Sequence, residues 1–352
     1  MALESSSGTS LPQSSSKNDL YLTPDMLRSE CEESSDKMQL VAELLLLQSG
    51  SQPSALEPVS KGNESYAKSR DAIVANTKGL AISIKDLSKH LHQRSLAPAH
   101  QCVQQVADQV IILVEAATHA AYFTALTDIR CKPAVPGVVD RYSFARAKQA
   151  VRMAYSKFKP EYGPLTRDQT MQISRTFANN LALLTQGCKL AAESREISAL
   201  DRMQFNNCAQ CLQGTTAAFL SSLKAFAASH SADNRKRCLL FGKPVLEAVD
   251  CVVDFANFPE FAGKPAKLTE KGYESQTDIL GGAMAVVSSS VQLLNATRSL
   301  LEHRTMDDAS NWQKILNCSK AVADATKLLS SSIREHTPAP SRRPSLKQYQ
   351  LY

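Results

Sequence analysis

Glycine and proline are scarce in this 352-residue chain, at 13 and 15, and most prolines fall outside the periodic stretches. A turn-rich sheet protein needs more of both, so the first expectation is long helices. Aromatic residues make up 6% of the chain, with a single tryptophan. No aromatic-rich apolar face and no lipidation signal are present, which argues against a membrane-surface scaffold. The nine cysteines are too few and too scattered for a disulfide scaffold, and no apolar run follows a basic start at the amino terminus. Both features point to a reduced, cytoplasmic setting with thiols acting as small hydrophobes.

Catalytic signatures are missing too. H-E-x-x-H, G-x-S-x-G and the P-loop pattern do not occur, and His90, His92, His100 and His119 are dispersed along helical patterns. No E-x-x-H pairs face each other as a di-iron bundle requires. In C-A-Q-C, Cys208 and Cys211 lack the second pair or histidine that a zinc site needs. The expectation is a protein that is not an enzyme and holds no metal or cofactor.

The net charge is +6, too small to imply nucleic acid without a reader motif. It is regional: 16 Lys and Arg face 11 Asp and Glu between Val139 and Gly263, which leaves about +5 there.

Nineteen residues without a formal charge run I-L-G-G-A-M-A-V-V-S-S-S-V-Q-L-L-N-A-T, Ile279 to Thr297. Three serines followed by Gln292 and Asn295 argue against a lipid-facing span, so no membrane insertion is expected. G-G-A-M has neither the spacing nor the Lys-Ser/Thr partner of a phosphate loop. A buried helix remains, with Leu280, Met284, Val287, Val291 and Leu294 as its seam and Gly281, Gly282 and Ala283 allowing close approach.

Apolar spacings of three and four residues predict about nine helices. They fall near 38–48 (Asp36 as N-cap), 64–91, 97–126, 138–159, 167–194, 199–229, 238–257, 268–302 and 308–335. Residues 1–35 are serine-rich with an acidic patch and are expected to be a disordered tail, as is the basic segment 336–352. Cys131–Gly137 and Phe258–Ala266 break the pattern with proline. The breaks divide the chain into a five-helix unit, 36–130 plus 267–335, and a four-helix unit, 138–262. Either the second is inserted in the first, or two bundles follow each other.

Several words share an order with a known family: M-Q-L-V-A-E-L-L-L-L at Met38, H-A-A-Y at His119, G-V-V-D-R-Y at Gly137, N-L-A-L-L-T at Asn180 and S-Q-T-D-I-L-G-G-A-M-A-V-V-S at Ser275. Across about 38–335 the chain resembles the talin rod-like helical bundle family. That resemblance implies an all-α fold with a four-helix bundle inserted into a five-helix bundle. It also implies a homodimer formed through the inserted module that binds and bundles filamentous actin in the cytoplasm, with roles in filopodia and cell migration. An alternative is an adaptor whose four-helix module takes short amphipathic helical peptides.

The residues suggest where such partners would sit. From Val138 to Lys159 there are six basic residues and one acidic, and Arg141, Lys148, Arg152 and Lys159 share one helical face, a candidate ridge for an acidic filament. Ala248, Cys251 and Phe255 form a second apolar strip on their helix, a candidate dimer contact with Phe255 as anchor. Asn234–Arg237 (N-R-K-R) is a second basic candidate or a helix junction. Ser345, after Arg342 and Arg343, is a possible phosphorylation site.

Overall fold

The structure is a computed structural model that describes residues 23–47, 50–51, 62–302 and 309–336. Among these residues nine α-helices form and no sheet: α1 (Pro24–Leu47), α2 (Gly62–His92), α3 (Leu96–Ala125), α4 (Arg141–Ser156), α5 (Arg167–Glu193), α6 (Ala199–Ala228), α7 (Ala232–Ala256), α8 (Glu270–Glu302) and α9 (Ala309–Glu335). Single 3-10 turns at Pro160–Tyr162 and Pro259–Phe261 follow α4 and α7.

Local chemistry sets several boundaries. Asp140, Thr166, Ser198 and Ser231 each accept a hydrogen bond from the backbone N–H three residues on, which satisfies a first-turn donor of α4, α5, α6 and α7. At α5 the cap is reciprocal, because Gln169 returns to the Thr166 backbone. Ser231 starts α7 at Ala232, six residues before the expected position. Pro244 lies inside this helix on its exposed side.

The serine-rich segment is corrected over 24–35. Helix α1 begins at Pro24, not near Met38, and Asp36 sits in mid-helix, not at a cap. Thr23 holds the start, its hydroxyl accepting from the Met26 N–H at 3.3 Å. Leu27, Cys31, Ser34, Ser35, Met38, Val41 and Leu45 are the buried stripe. Ser35 returns its hydroxyl to the Cys31 carbonyl at 2.8 Å, so a buried position is filled by serine with its hydrogen bond made internally. That hides the stripe from hydropathy. The tail 336–352 lies outside the described residues except for His336.

Two hydrophobic clusters form. The first gathers side chains from α1, α2, α3, α8 and α9; the second gathers α4 to α7 with Phe261. Tyr142 is the one residue of α4–α7 in the first cluster. Helix α8 is long and apolar enough to cross a membrane by length and composition, yet 61% of its apolar window is buried. It packs on α1, α3 and α9, as a core helix does. The glycine pair divides its roles. A Cβ on Gly282 would come within 2.9 Å of the Leu329 Cα in α9, whereas one on Gly281 would meet open space.

The two proline-containing breaks run side by side. Lys132 and Lys267 exchange both backbone hydrogen bonds, at 2.9 and 3.0 Å, and Val135 and Lys264 do the same at 2.9 Å. Beyond them a Cβ on Gly137 would overlap the Phe261 carbonyl, and one on Gly263 the Val135 carbonyl. This antiparallel neck is where the chain leaves the first cluster and returns to it.

Gly282→Val is expected to lower stability by about 1–3 kcal/mol through overpacking against Leu329. Gly281→Ala is expected to raise it by up to about 1 kcal/mol through helix propensity. Thermal denaturation followed by circular dichroism checks the opposite signs.

Candidate interaction surfaces

Helix α4 buries Phe144, Ala147, Val151 and Ala154 in the second cluster, which turns its basic residues outward on two sides. On one side they meet α7. Arg141 donates to the carbonyls of Asn257 and Phe258 at 2.9 and 2.6 Å, closing the end of α7. Lys148 pairs with Asp250 and Asp254 at 3.3 and 3.0 Å, and Arg152 grips Asp250 through Nε at 3.2 Å and Nη2 at 2.5 Å. Burial would raise the Asp250 carboxyl, but hydrogen bonds and charge from Arg152 and Lys148 hold it below its ordinary value. Lys159 lies beyond the helix and is exposed. Three of the four ridge residues therefore have partners within the chain.

Within the N-R-K-R run Arg235 turns to the helix junction, while Lys236 and Arg237 are exposed. The Arg235 guanidinium donates to the carbonyls of Phe158, Gly163, Lys157 and Lys159 at 2.6–3.2 Å. It is a junction clamp over the turn after α4, where burial lowers its pKa.

On its other side α4 meets α1 and α3. The Tyr142 hydroxyl donates to Glu115 at 2.5 Å, and Arg146 pairs with the same carboxylate. Burial first, then the Glu115 charge, pushes the Tyr142 phenol well above its usual range. Three turns further on, Lys157 reaches Glu33 at 2.6 Å and Glu30 at 3.7 Å. Glu30 also faces His100 at 3.2 Å. Burial alone would raise the Glu30 carboxyl, but the His100 hydrogen bond and the Lys157 charge overcome it and bring the pKa down to about 2. Glu33 is raised, with burial as the leading cause and the Glu30 charge adding to it. None of these acids was singled out from sequence. Glu30 falls on the buried stripe of α1, a position where a carboxylate must find a cation, and that was the available signal.

A third surface follows the seam between α6 and α7. On α7, Phe241, Pro244, Ala248, Cys251 and Phe255 fall on one side at 100° per residue. Phe241, Pro244 and Cys251 are exposed, Ala248 is buried and Phe255 half-buried. The Phe255 ring packs on Phe205 of α6 at 4.7 Å and on Phe261 at 5.0 Å, so the expected anchor is part of the module's own aromatic packing. Cys211, Gly214 and Ala218 of α6 are exposed on the facing arc. Cys208 is buried and its thiol raised, by burial first and then by Cys211 and Cys251. Through its central turns this strip carries small and apolar side chains and no charge. Ser345 lies outside the described residues.

Among the described residues no group of three or more His, Cys, Asp or Glu is arranged to hold a metal ion. What these surfaces offer is protein contact. The class is an all-α helical bundle. A family model described as the Talin IBS2B domain matches residues 139–259. The chain is 31% identical over 88% of its length to talin of Oscarella pearsei, 30% over 80% to talin-2 of Mus musculus, and 28% over 88% to talin-1 of Gallus gallus. It spans 12% of the length of each of these relatives. Homology across most of the chain, with the family match over α4–α7, supports membership in the talin rod family.

The Glu30 pKa of about 2 lies below its ordinary 4.5, so its ionisation contributes stability above pH 4.5 that is lost as pH falls toward 2. Glu30→Gln is expected to remove roughly 3 kcal/mol of pH-dependent stability across that window. Urea unfolding at pH 7, 4 and 3 measures this.

Proposed function

We propose that the chain is an interaction scaffold of the talin rod type. In this reading a four-helix module, 138–262, is inserted in a five-helix bundle, 36–130 plus 267–335, and binds an amphipathic helical peptide of a partner protein along the α6/α7 seam. The observation that carries it is the uncharged strip of Phe241, Pro244 and Cys251 beside Cys211, Gly214 and Ala218. Small side chains let a helix backbone approach, and Phe241 offers an edge for its apolar face. The separate clusters and the paired neck support the insertion.

A second reading keeps the same seam for a second copy of the chain. Ala248, Cys251 and Phe255 would lie at a homodimer contact, and two actin-binding sites per particle would bundle filaments in the cytoplasm, at filopodia and migrating edges. The ordered sequence words shared with talin rod domain-containing proteins support it. Of the ridge, Arg152 and Lys159 are exposed, and because Arg152 is paired with Asp250, Lys159 is the cleaner test.

Cys251→Arg separates the readings. Amphipathic-helix peptides selected from a displayed library on the wild-type chain should bind this variant about tenfold or more weakly, and equal affinity would contradict the peptide site. Under the second reading, light scattering should give a dimer for the wild type and a monomer for C251R. Lys159→Glu should then lower the fraction pelleting with filamentous actin. A monomeric wild type that does not pellet with actin would exclude that reading.

A further inference from the structure

The second helical unit is attached to the first by very little apolar surface. Tyr142 is the one residue of α4–α7 in the first hydrophobic cluster. Charged side chains add links toward the two ends of α4. At one end Glu115 of α3 takes both the Tyr142 hydroxyl and the Arg146 guanidinium. At the other, Lys157 sits between Glu30 and Glu33 of α1. From Tyr142 to Lys157 the chain rises roughly 20 Å, so two separated clasps fix an orientation that one alone would leave free to swivel. The backbone connection is the neck, with ladder pairs at Lys132–Lys267 and Val135–Lys264.

The chemistry of the clasps differs from that of a packed core. Separating apolar faces exposes surface that water does not solvate well, whereas separated Lys, Arg and Glu side chains regain full hydration, which offsets the lost pairs. An interface built this way opens at low cost while each cluster stays intact. We propose that α4 is a charge-operated clasp: Arg146 and Lys157 hold the second helical unit against α3 and α1, and their release lets it swing about the neck. Closed, the contact covers Glu30, Glu33 and Glu115 on one unit and two cations on the other. Open, it presents an acidic and a basic face that the closed chain conceals.

The test uses the full chain and attacks the clasps from both sides, with R146A/K157A and the isosteric E33Q/E115Q. Small-angle X-ray scattering reads the maximum dimension. Limited trypsin digestion reads access to the neck after Arg130 and Lys267. Both variants are expected to lengthen the particle and to be cut in the neck about tenfold faster, with helicity unchanged. The glutamine pair keeps side-chain shape and touches no helix cap, so it decides the matter even where the alanine pair loses helicity. Wild-type scattering and wild-type cleavage rates in a helical E33Q/E115Q chain would overturn the clasp.

Discussion

The close approach of the two crossing segments at Gly137 and Gly263 is the constraint on which the arrangement rests. A side chain on either glycine would occupy the backbone of the other segment. Because the crossings are so close, α3 can hand the chain to α4 and receive it again as α8 at nearly the same place. The first cluster can then be completed by helices far apart in sequence, with α8 packed on α1 and α3. Without that return, α1 to α3 would leave an apolar face open to water, and α8 would be an uncovered helix of the composition that suits a membrane.

Charge does a different job from the one its density in sequence suggests. The basic residues of α4 are drawn inward by acids on three other helices: Asp250 and Asp254 on α7, Glu115 on α3, and Glu30 and Glu33 on α1. Removing one partner of such a partly buried pair leaves the other charge in a poor environment, and at Glu30 the attraction outweighs desolvation. Their effect is to set orientation. The uncharged α6/α7 seam is the complementary case, a strip with no charge to direct it and small side chains to admit a helix.

Much of this was legible in the sequence. Apolar spacing placed α2, α3, α5, α6, α8 and α9 to within a few residues, because three- and four-residue repeats sustained over many turns report a buried face directly. The first half of α1 was not legible, since Ser34 and Ser35 fill its stripe and satisfy polarity through local hydrogen bonds. Helical phase grouped Arg141, Lys148, Arg152 and Lys159, yet phase within one helix says nothing about which acids stand opposite. Asp250 lies 98 residues from Arg152, a separation no local pattern spans. The strip of Ala248, Cys251 and Phe255 was found by the same phase argument, but the Phe205 and Phe261 rings that occupy Phe255 come from other elements.

The central claim is that the second cluster is a core in its own right, carried by a unit that the first merely orients. Residues 138–262 produced alone test this most directly, through chemical unfolding followed by circular dichroism and by a near-ultraviolet probe of the phenylalanine-rich interior. The account predicts a helical fragment with one cooperative transition seen alike by both probes. A fragment that is unfolded, or helical without a cooperative transition, would contradict it.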